Sequence, residues 1–347
     1  MALRRIPLVD ARRAEHPAAF AAVAQAEDTA AILQAARRQY GAVGLSLGDA
    51  LSRRWLARNA SPLAKEVAAV AASIGGPGAY LLNLSFEWGC TCGVLDAPAP
   101  TLLRVLDWGN LAGLGETLCV IRQSGPAGHW LNIGWPGLAG AITGFAPGRF
   151  AIAINQPPLP LTRAGAAARR HGFRKAGLLA DWAASRPATW RRRALPPAHL
   201  LRIACDTAPD YATALAMLRD TPLAAAVTFT LAGTQPGQAA VIERARDQTA
   251  VRHGPGLAAA NHWQSVDLPG APRWIESAPR AERMAALVAQ GTVPDGFAWL
   301  EPPLLNHGTR LAAVLRPAEG RVELVAHEGE RRVSEPLTIA DRVVEPA

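Results

Sequence analysis

Two cysteines one residue apart, Cys90 and Cys92, stand in the stretch Gly89-Cys90-Thr91-Cys92-Gly93, followed by Val94 and Leu95. Thiols at this spacing could form a metal clip, a redox pair, the packing of a buried strand, or a nucleophile. Structural zinc takes four ligands, usually in paired C-x2-4-C or H-x3-5-H clusters, and neither Cys119 nor Cys205 belongs to such a pair. Thioredoxin-like redox sites use C-x-x-C at a helix start, whereas this C-x-C heads an apolar run that reads as a strand. In a strand Cys90 and Cys92 point the same way and Thr91 the opposite way, so one buried face carries both thiols. A core strand and a nucleophile remain. A thiol has a reference pKa of about 8.5 and needs a base or cation beside it before it attacks. His129 and His262 are the candidates for a Cys–His dyad, and both lie beside tryptophans, where a partly buried structural histidine is the commoner role.

The elements that must position these residues follow from composition and periodicity. The chain has 347 residues, 50% hydrophobic and 18% charged, which suits a large buried core and excludes a disordered protein. Its 31 glycines and 28 prolines imply many turns, so a plain helical bundle is not expected. Up to residue 75 the pattern is helical, through Phe20–Ala36, Ala50–Leu56 and Leu63–Ile74, with Ser46 and Ser61 as N-caps. Gly75-Gly76-Pro77-Gly78 breaks it and marks a boundary between a helical segment, 1–78, and a domain, 79–347. Short apolar runs between turns then predict strands at Ala79–Phe86, Cys90–Leu95, Thr101–Trp108, Leu118–Arg122, Trp130–Gly134 and Phe150–Asn155. Helices are expected at Ala176–Ala184, His199–Thr207 and Tyr211–Leu218. Strands follow at Ala225–Ala232, Ala239–Arg244, Thr249–His253 and Leu257–His262, then a helix at Pro279–Gln290 and a hairpin of Arg310–Arg316 with Val322–His327. This order reads as α+β, with helices packed outside two sheets.

At this level the chemistry around Cys90 resembles a known family. Cys90-Thr91-Cys92 is similar to the Cys-Thr-Ser start of the catalytic subunit of acid ceramidase and N-acylethanolamine-hydrolysing acid amidase. These are N-terminal-nucleophile hydrolases, related to choloylglycine hydrolases and penicillin acyltransferases. Leu103-Arg104-Val105-Leu106-Asp107-Trp108 resembles the family's Gly-Arg-Asn-Met-Asp-Phe strand. The block from Thr143-Gly144-Phe145 through Pro147-Gly148-Arg149-Phe150 to Asn155 resembles its Thr-Gly-Phe-x-Pro-Gly-x-Phe segment, which ends on a catalytic Asn. Asn261-His262-Trp263 is similar to its Asn-Tyr-Asp-His-Trp segment, Arg280 stands where a further active-site Arg is expected, and Pro303-Leu304-Leu305-Asn306 resembles the lead into its closing hairpin. Val105 and Gln156 depart from the pattern, where the family has Asn and often Glu.

The resemblance implies a four-layer αββα sandwich and self-cleavage between Gly89 and Cys90, giving subunits 1–89 and 90–347. Cys90 would then supply both thiol and α-amine, the amine acting as base, with no cofactor and no metal. Asp107 would orient the amine, Arg104 would favour the thiolate, and Asn155 would donate to the oxyanion. Asn261 and Arg280 complete the expected site. On an ideal strand Arg104 and Asp107 point to opposite or skewed sides unless a twist or bulge redirects one. The implied reaction is hydrolysis of an N-acyl, lipid-like amide through an acyl-thioester. Transfer of the acyl group to an amine and an inactive lipid-binding homologue are the alternatives. The Trp130–Trp135 stretch offers apolar lining for an acyl group.

The net charge of +8 invites a nucleic-acid reading, but the basic clusters are few: Arg169–Lys175 and Arg191–Arg193. They read as solvated faces or as attraction to an anionic membrane or acidic substrate, and no nucleic-acid partner is expected. No apolar run has signal-peptide or membrane-spanning length, so a cytoplasmic setting with reduced thiols is expected.

Overall fold

The computed structural model describes residues 3–341 apart from 86–88, 97, 110, 246, 272 and 274–275. Its centre is two stacked sheets. The larger, of eight strands among the described residues, runs in the order Leu8–Asp10, Cys119–Gly125, Gly128–Gly134, Thr143–Ala146, Phe150–Asn155, Val227–Ala232, Ala239–Arg244 and Thr249–His253. The smaller has the order Leu257–Ala259, Gly89–Leu95, Thr101–Asp107, Thr309–Arg316, Arg321–Glu328 and Arg331–Arg332, with Leu337–Ala340 also pairing Arg321–Glu328. Pairing is antiparallel except where Leu8–Asp10 joins Cys119–Gly125. Continuous apolar runs such as Phe150-Ala-Ile-Ala-Ile-Asn155 form these strands because both of their faces are covered.

Helix Ser277–Ala289 covers the outer face of the smaller sheet. It lies so close that a Cβ on Gly93 would come within 2.6 Å of Met284. Helices Pro197–Thr207 and Tyr211–Asp220 cover the larger sheet, with Leu200, Leu201, Ala204 and Leu218 buried in the central core. The layering is therefore αββα. Cys90, Cys92, Leu102 and Leu106 of one sheet meet Phe145, Phe150, Ile154 and Phe229 of the other in a single apolar cluster. The N-terminal helices, Pro17–Ala24, Ala26–Arg58 and Ala64–Ile74, pack at one side of this sandwich.

Several expectations need correction. The apolar run expected as a strand at Ala79–Phe86 is a helix over Ala79–Leu84, and Phe86 lies outside the described residues. The Asp49 carboxylate decides this by accepting the Tyr80 and Leu81 amides at 2.8 and 3.1 Å, capping a run that has no β-branched residue. The helical segment thus continues past Gly75–Gly78 to Leu84, although Gly75 does end helix Ala64–Ile74 in the left-handed conformation. Ser46 is no cap: it sits inside Ala26–Arg58, its hydroxyl donating to the Ala42 carbonyl. The strand expected at Leu257–His262 stops at Ala259, because the Asn261 amide bonds Ser277 instead of a neighbouring strand. Helix Arg163–Arg170 and the short strands Leu8–Asp10, Thr143–Ala146 and Leu337–Ala340 are additions. No helix among the described residues is long and apolar enough to cross a membrane.

Candidate active site

The strand Gly89–Leu95 pairs with Thr101–Asp107 so that Cys90 faces Leu106 and Cys92 faces Arg104. Paired residues share a face, which puts both thiols and the Arg104 guanidinium between the sheets. Asp107 pairs with Gly89 and belongs to the opposite face, beneath helix Ser277–Ala289. The register of the neighbouring strand shifts between Thr309 and Leu311, and this bulge lets the Thr309 hydroxyl donate to Asp107 Oδ1 at 3.0 Å. Arg104 and Asp107 therefore flank the Cys90 backbone from its two sides.

Asn155 ends its strand because Pro157 and Pro158 follow and proline has no amide to donate. Its Oδ1 accepts from Arg104 Nη1 at 2.7 Å and from the Cys92 thiol at 3.0 Å, and its amide donates to the Ala259 and Ala260 carbonyls. Arg104 Nη1 also reaches Cys92 Sγ at 3.2 Å. On the other side the Cys90 backbone N–H donates to Asn261 Oδ1 at 2.8 Å, and Asn261 Nδ2 donates to the Gln156 carbonyl. Arg280, in the first turn of helix Ser277–Ala289, donates to the Cys90 carbonyl and Thr91 Oγ1 through Nη1 and to Asn261 Oδ1 through Nη2. Its Nη1 lies 3.4 Å from Asp107 Oδ2. All six residues singled out in the sequence are fully buried; Asn261 and Arg280 bond the Cys90 main chain, whereas Arg104 and Asn155 bond Cys92 and each other.

Burial dominates the electrostatics. It pushes the Cys90 thiol up to about 12, against the opposing charge of Arg104, and raises Cys92 as well. It also raises the Asp107 carboxyl and lowers Arg280, each opposed by the other's charge. Arg104 has no carboxylate partner among the described residues; its Nε and Nη2 are buried without acceptors. Asn155 differs from expectation in one respect, since both of its amide hydrogens are committed to backbone carbonyls. The unused donors beside the thiols belong to Arg104.

Three contributors had no sequence signal. Ser277 Oγ accepts the Asn261 amide and bonds His262 Nδ1, both at 2.8 Å. Glu243 accepts the amides of Gln264, Ser265 and Val266, each at 2.9 Å, tying down the loop that carries Asn261. Thr309 anchors Asp107. Their partners are backbone groups or residues distant in sequence, and a hydrogen bond to a backbone amide leaves no spacing to read. Of the dyad candidates, His262 engages Ser277 through Nδ1, and His129 lies 3.9 Å from Asp341. No group of three or more metal-binding side chains occurs among the described residues.

The layer order and topology define the N-terminal-nucleophile hydrolase fold. Among solved structures the chain is similar to an N-acylethanolamine-hydrolysing acid amidase ortholog from Caenorhabditis elegans, with a TM-score of 0.51 and 15% identity over 66% of this chain and 93% of that one. It also matches a variant conjugated bile acid hydrolase from Clostridium perfringens, with a TM-score of 0.42 and 7% identity over 73% of this chain and 97% of that one. A penicillin V acylase from Agrobacterium tumefaciens matches with a TM-score of 0.37 and 12% identity, over 72% of this chain and 86% of that one. No family profile and no curated protein sequence matches.

Proposed function

We propose that the chain is an amidase that cuts itself between Gly89 and Cys90 and then hydrolyses an N-acyl amide through a thioester on Cys90. The observation that carries this reading is the double hold on the Cys90 backbone: its nitrogen on Asn261 Oδ1 and its carbonyl on Arg280 Nη1, with Asp107 beyond. Strand Leu257–Ala259 stops opposite Cys92, so no ladder bond reaches the Cys90 main chain on that side, and these buried side chains hold it instead.

In self-cleavage the Cys90 sulfur attacks the Gly89 carbonyl carbon, the acyl group passes from nitrogen to sulfur, and water hydrolyses the thioester. The nitrogen that now donates to Asn261 becomes a free α-amine with a reference pKa of about 8. As base it takes the thiol proton, directly or through water. Arg104 favours the thiolate, and its unused Nε and Nη2 donors suit the oxyanion better than Asn155, whose amide is occupied. Asn155 instead holds the Arg104 guanidinium in place. The substrate amide then repeats the acyl transfer, its amine leaves with the proton, and water releases the acid.

An apolar cavity lies between the N-terminal helices and the sandwich. Ile32, Leu33 and Leu82 line one side, and Trp108 and Trp135, edge to face at 5.5 Å, line the other. None of the six site residues lines it; its link to them is Trp108, the residue after Asp107, and its apolar lining suits an acyl chain. Of the Trp130–Trp135 stretch only Trp135 lines it; Trp130 is core, its indole N–H on Asp206.

Incubating the cleaved protein with a panel of N-acyl amides, trapping the thioester and reading its mass tests the reaction. An acyl adduct on Cys90, with free acid as product even when amine acceptors are added, is expected. Acyl transfer to the added amine would make it a transferase, and no adduct from any amide would refute the amidase reading.

A further inference from the structure

Cys92 is a second fully buried thiol, and the reaction set out above does not use it. It stands two residues after Cys90 on the same face of strand Gly89–Leu95 and directly opposite Arg104 in the ladder. Its sulfur donates to Asn155 Oδ1 at 3.0 Å and accepts from Arg104 Nη1 at 3.2 Å, while the same Nη1 donates to Asn155 Oδ1 at 2.7 Å. The neighbours of Asn155 fix which way its amide points. Its Nδ2 donates to the Ala259 and Ala260 carbonyls at 2.9 and 3.3 Å, so the oxygen is the atom that faces the sulfur. Turned over, the amide would set its NH2 against a guanidinium and its oxygen against two carbonyls. An amide oxygen accepts a hydrogen bond from a thiol and repels a thiolate, so Asn155 holds the proton on Cys92. From its own sheet Arg104 and Cys90 also face Cys92, and from the opposite sheet Thr230, which carries no charge.

We infer that Cys92 is a positioning residue for the chemistry at Cys90: it stays a protonated thiol and, together with Asn155, pins Arg104 by Nη1, which leaves Nε and Nη2 for the Cys90 sulfur and the oxyanion. This arrangement decides which of two neighbouring thiols reacts. Both lie beside one guanidinium, and the one that ionises takes its charge. Because Cys92 is bonded to an oxygen that only accepts, the charge of Arg104 goes to Cys90. The side chain at 92 has to donate and accept at once, which a hydroxyl does as a thiol does and a methyl group does not. The role rests on the proposed cleavage between Gly89 and Cys90.

Self-cleavage of the full chain, followed by mass during cell-free synthesis, tests this. Cys92→Ala should be cut roughly ten- to a hundredfold more slowly than wild type, because Arg104 loses part of its anchor. Cys92→Ser, which keeps a donor and an acceptor, should recover most of that rate. A side chain that only filled space would give the opposite order, since alanine suits an apolar core better than serine. In the uncut Cys90→Ala background the urea midpoint of Cys92→Ala should be no lower than that of Cys92→Ser, which separates slow cutting from poor folding. In the cleaved wild type, iodoacetamide should label Cys90 and spare Cys92, and in Cys92→Ala the labelling of Cys90 should slow. Equal cutting of wild type and Cys92→Ala would overturn the inference while leaving the cleavage reading intact. So would a Cys92→Ser chain no faster than Cys92→Ala, or label on Cys92 ahead of Cys90. A wild type that is never cut would instead remove the cleavage reading, and this role with it.

Discussion

Arg104 and Arg280 are both completely buried, yet they stand in opposite electrostatic situations. Arg280 has Asp107 at 3.4 Å and three oxygen acceptors, whereas Arg104 has Asn155 and a sulfur. Removing one partner of a buried ion pair leaves the other charge stranded, at a cost of about 3–5 kcal/mol. Arg280→Met should therefore destabilise the chain by about that amount, seen as a lower urea midpoint. Arg104→Met should do the reverse. It removes a buried cation that no carboxylate balances, so the urea midpoint should stay level or rise, while self-cleavage slows by on the order of a hundredfold or more with loss of the thiolate and oxyanion support. A variant both less stable and still rapidly cleaved would show that Arg104 serves the fold and not the reaction.

Among the elements, the loop between Leu257–Ala259 and helix Ser277–Ala289 depends most on a single side chain. Glu243 receives three consecutive amides of that loop, and Asn261 at its head holds the Cys90 nitrogen. Glu243→Gln turns an acceptor into a donor that faces an amide. In the uncut Cys90→Ala background, hydrogen exchange should then quicken over residues 261–268 and also at the amide of residue 90; quickening confined to the loop would mean Glu243 does not position Asn261. The same element shows where sequence reading succeeds. Strands such as Thr101–Asp107 and Phe150–Asn155 were legible because an apolar run bounded by turns has little alternative. Ala79–Leu84 was not, since a short apolar run suits helix and strand alike, and a carboxylate thirty residues away, Asp49, made the choice. Cys90 had a local pattern to read, but Arg104, Asp107, Asn155, Asn261 and Arg280 stood out only through the family resemblance. Nothing local in the sequence revealed that Asn155 would spend its amide on Ala259 and Ala260.

For the molecule as a whole, the N-terminal helices are sewn to the sandwich by buried polar bonds. Asn83 bonds the Gly137 carbonyl and the Ala139 amide, and the Ser61 hydroxyl lies 2.7 Å from His199 Nδ1. Segments 1–89 and 90–347 should consequently co-purify after cleavage and separate only in denaturant. The fold is also sensitive to acid. Burial lowers His199 to about 3 and His327 to about 4, so both are neutral in the fold. Below a pH of about 6.5 the unfolded chain takes up protons that the folded chain refuses, and stability falls by about 1.4 kcal/mol per pH unit for each histidine until the folded pKa is reached. Urea midpoints should drop between pH 7 and 5, and His199→Gln should flatten the decline. An unchanged slope in that variant would place the acid sensitivity elsewhere.

The central claim is that Cys90 becomes a chain terminus and then a nucleophile. Intact mass of the purified wild type beside Cys90→Ala measures this most directly. The account predicts two wild-type fragments, one ending at Gly89 and one beginning at Cys90, and a single uncut chain for the variant. An uncut wild type whose Cys90 stays unreactive to thiol reagents, or a Cys90→Ala chain that is still cut at the same bond, would contradict it.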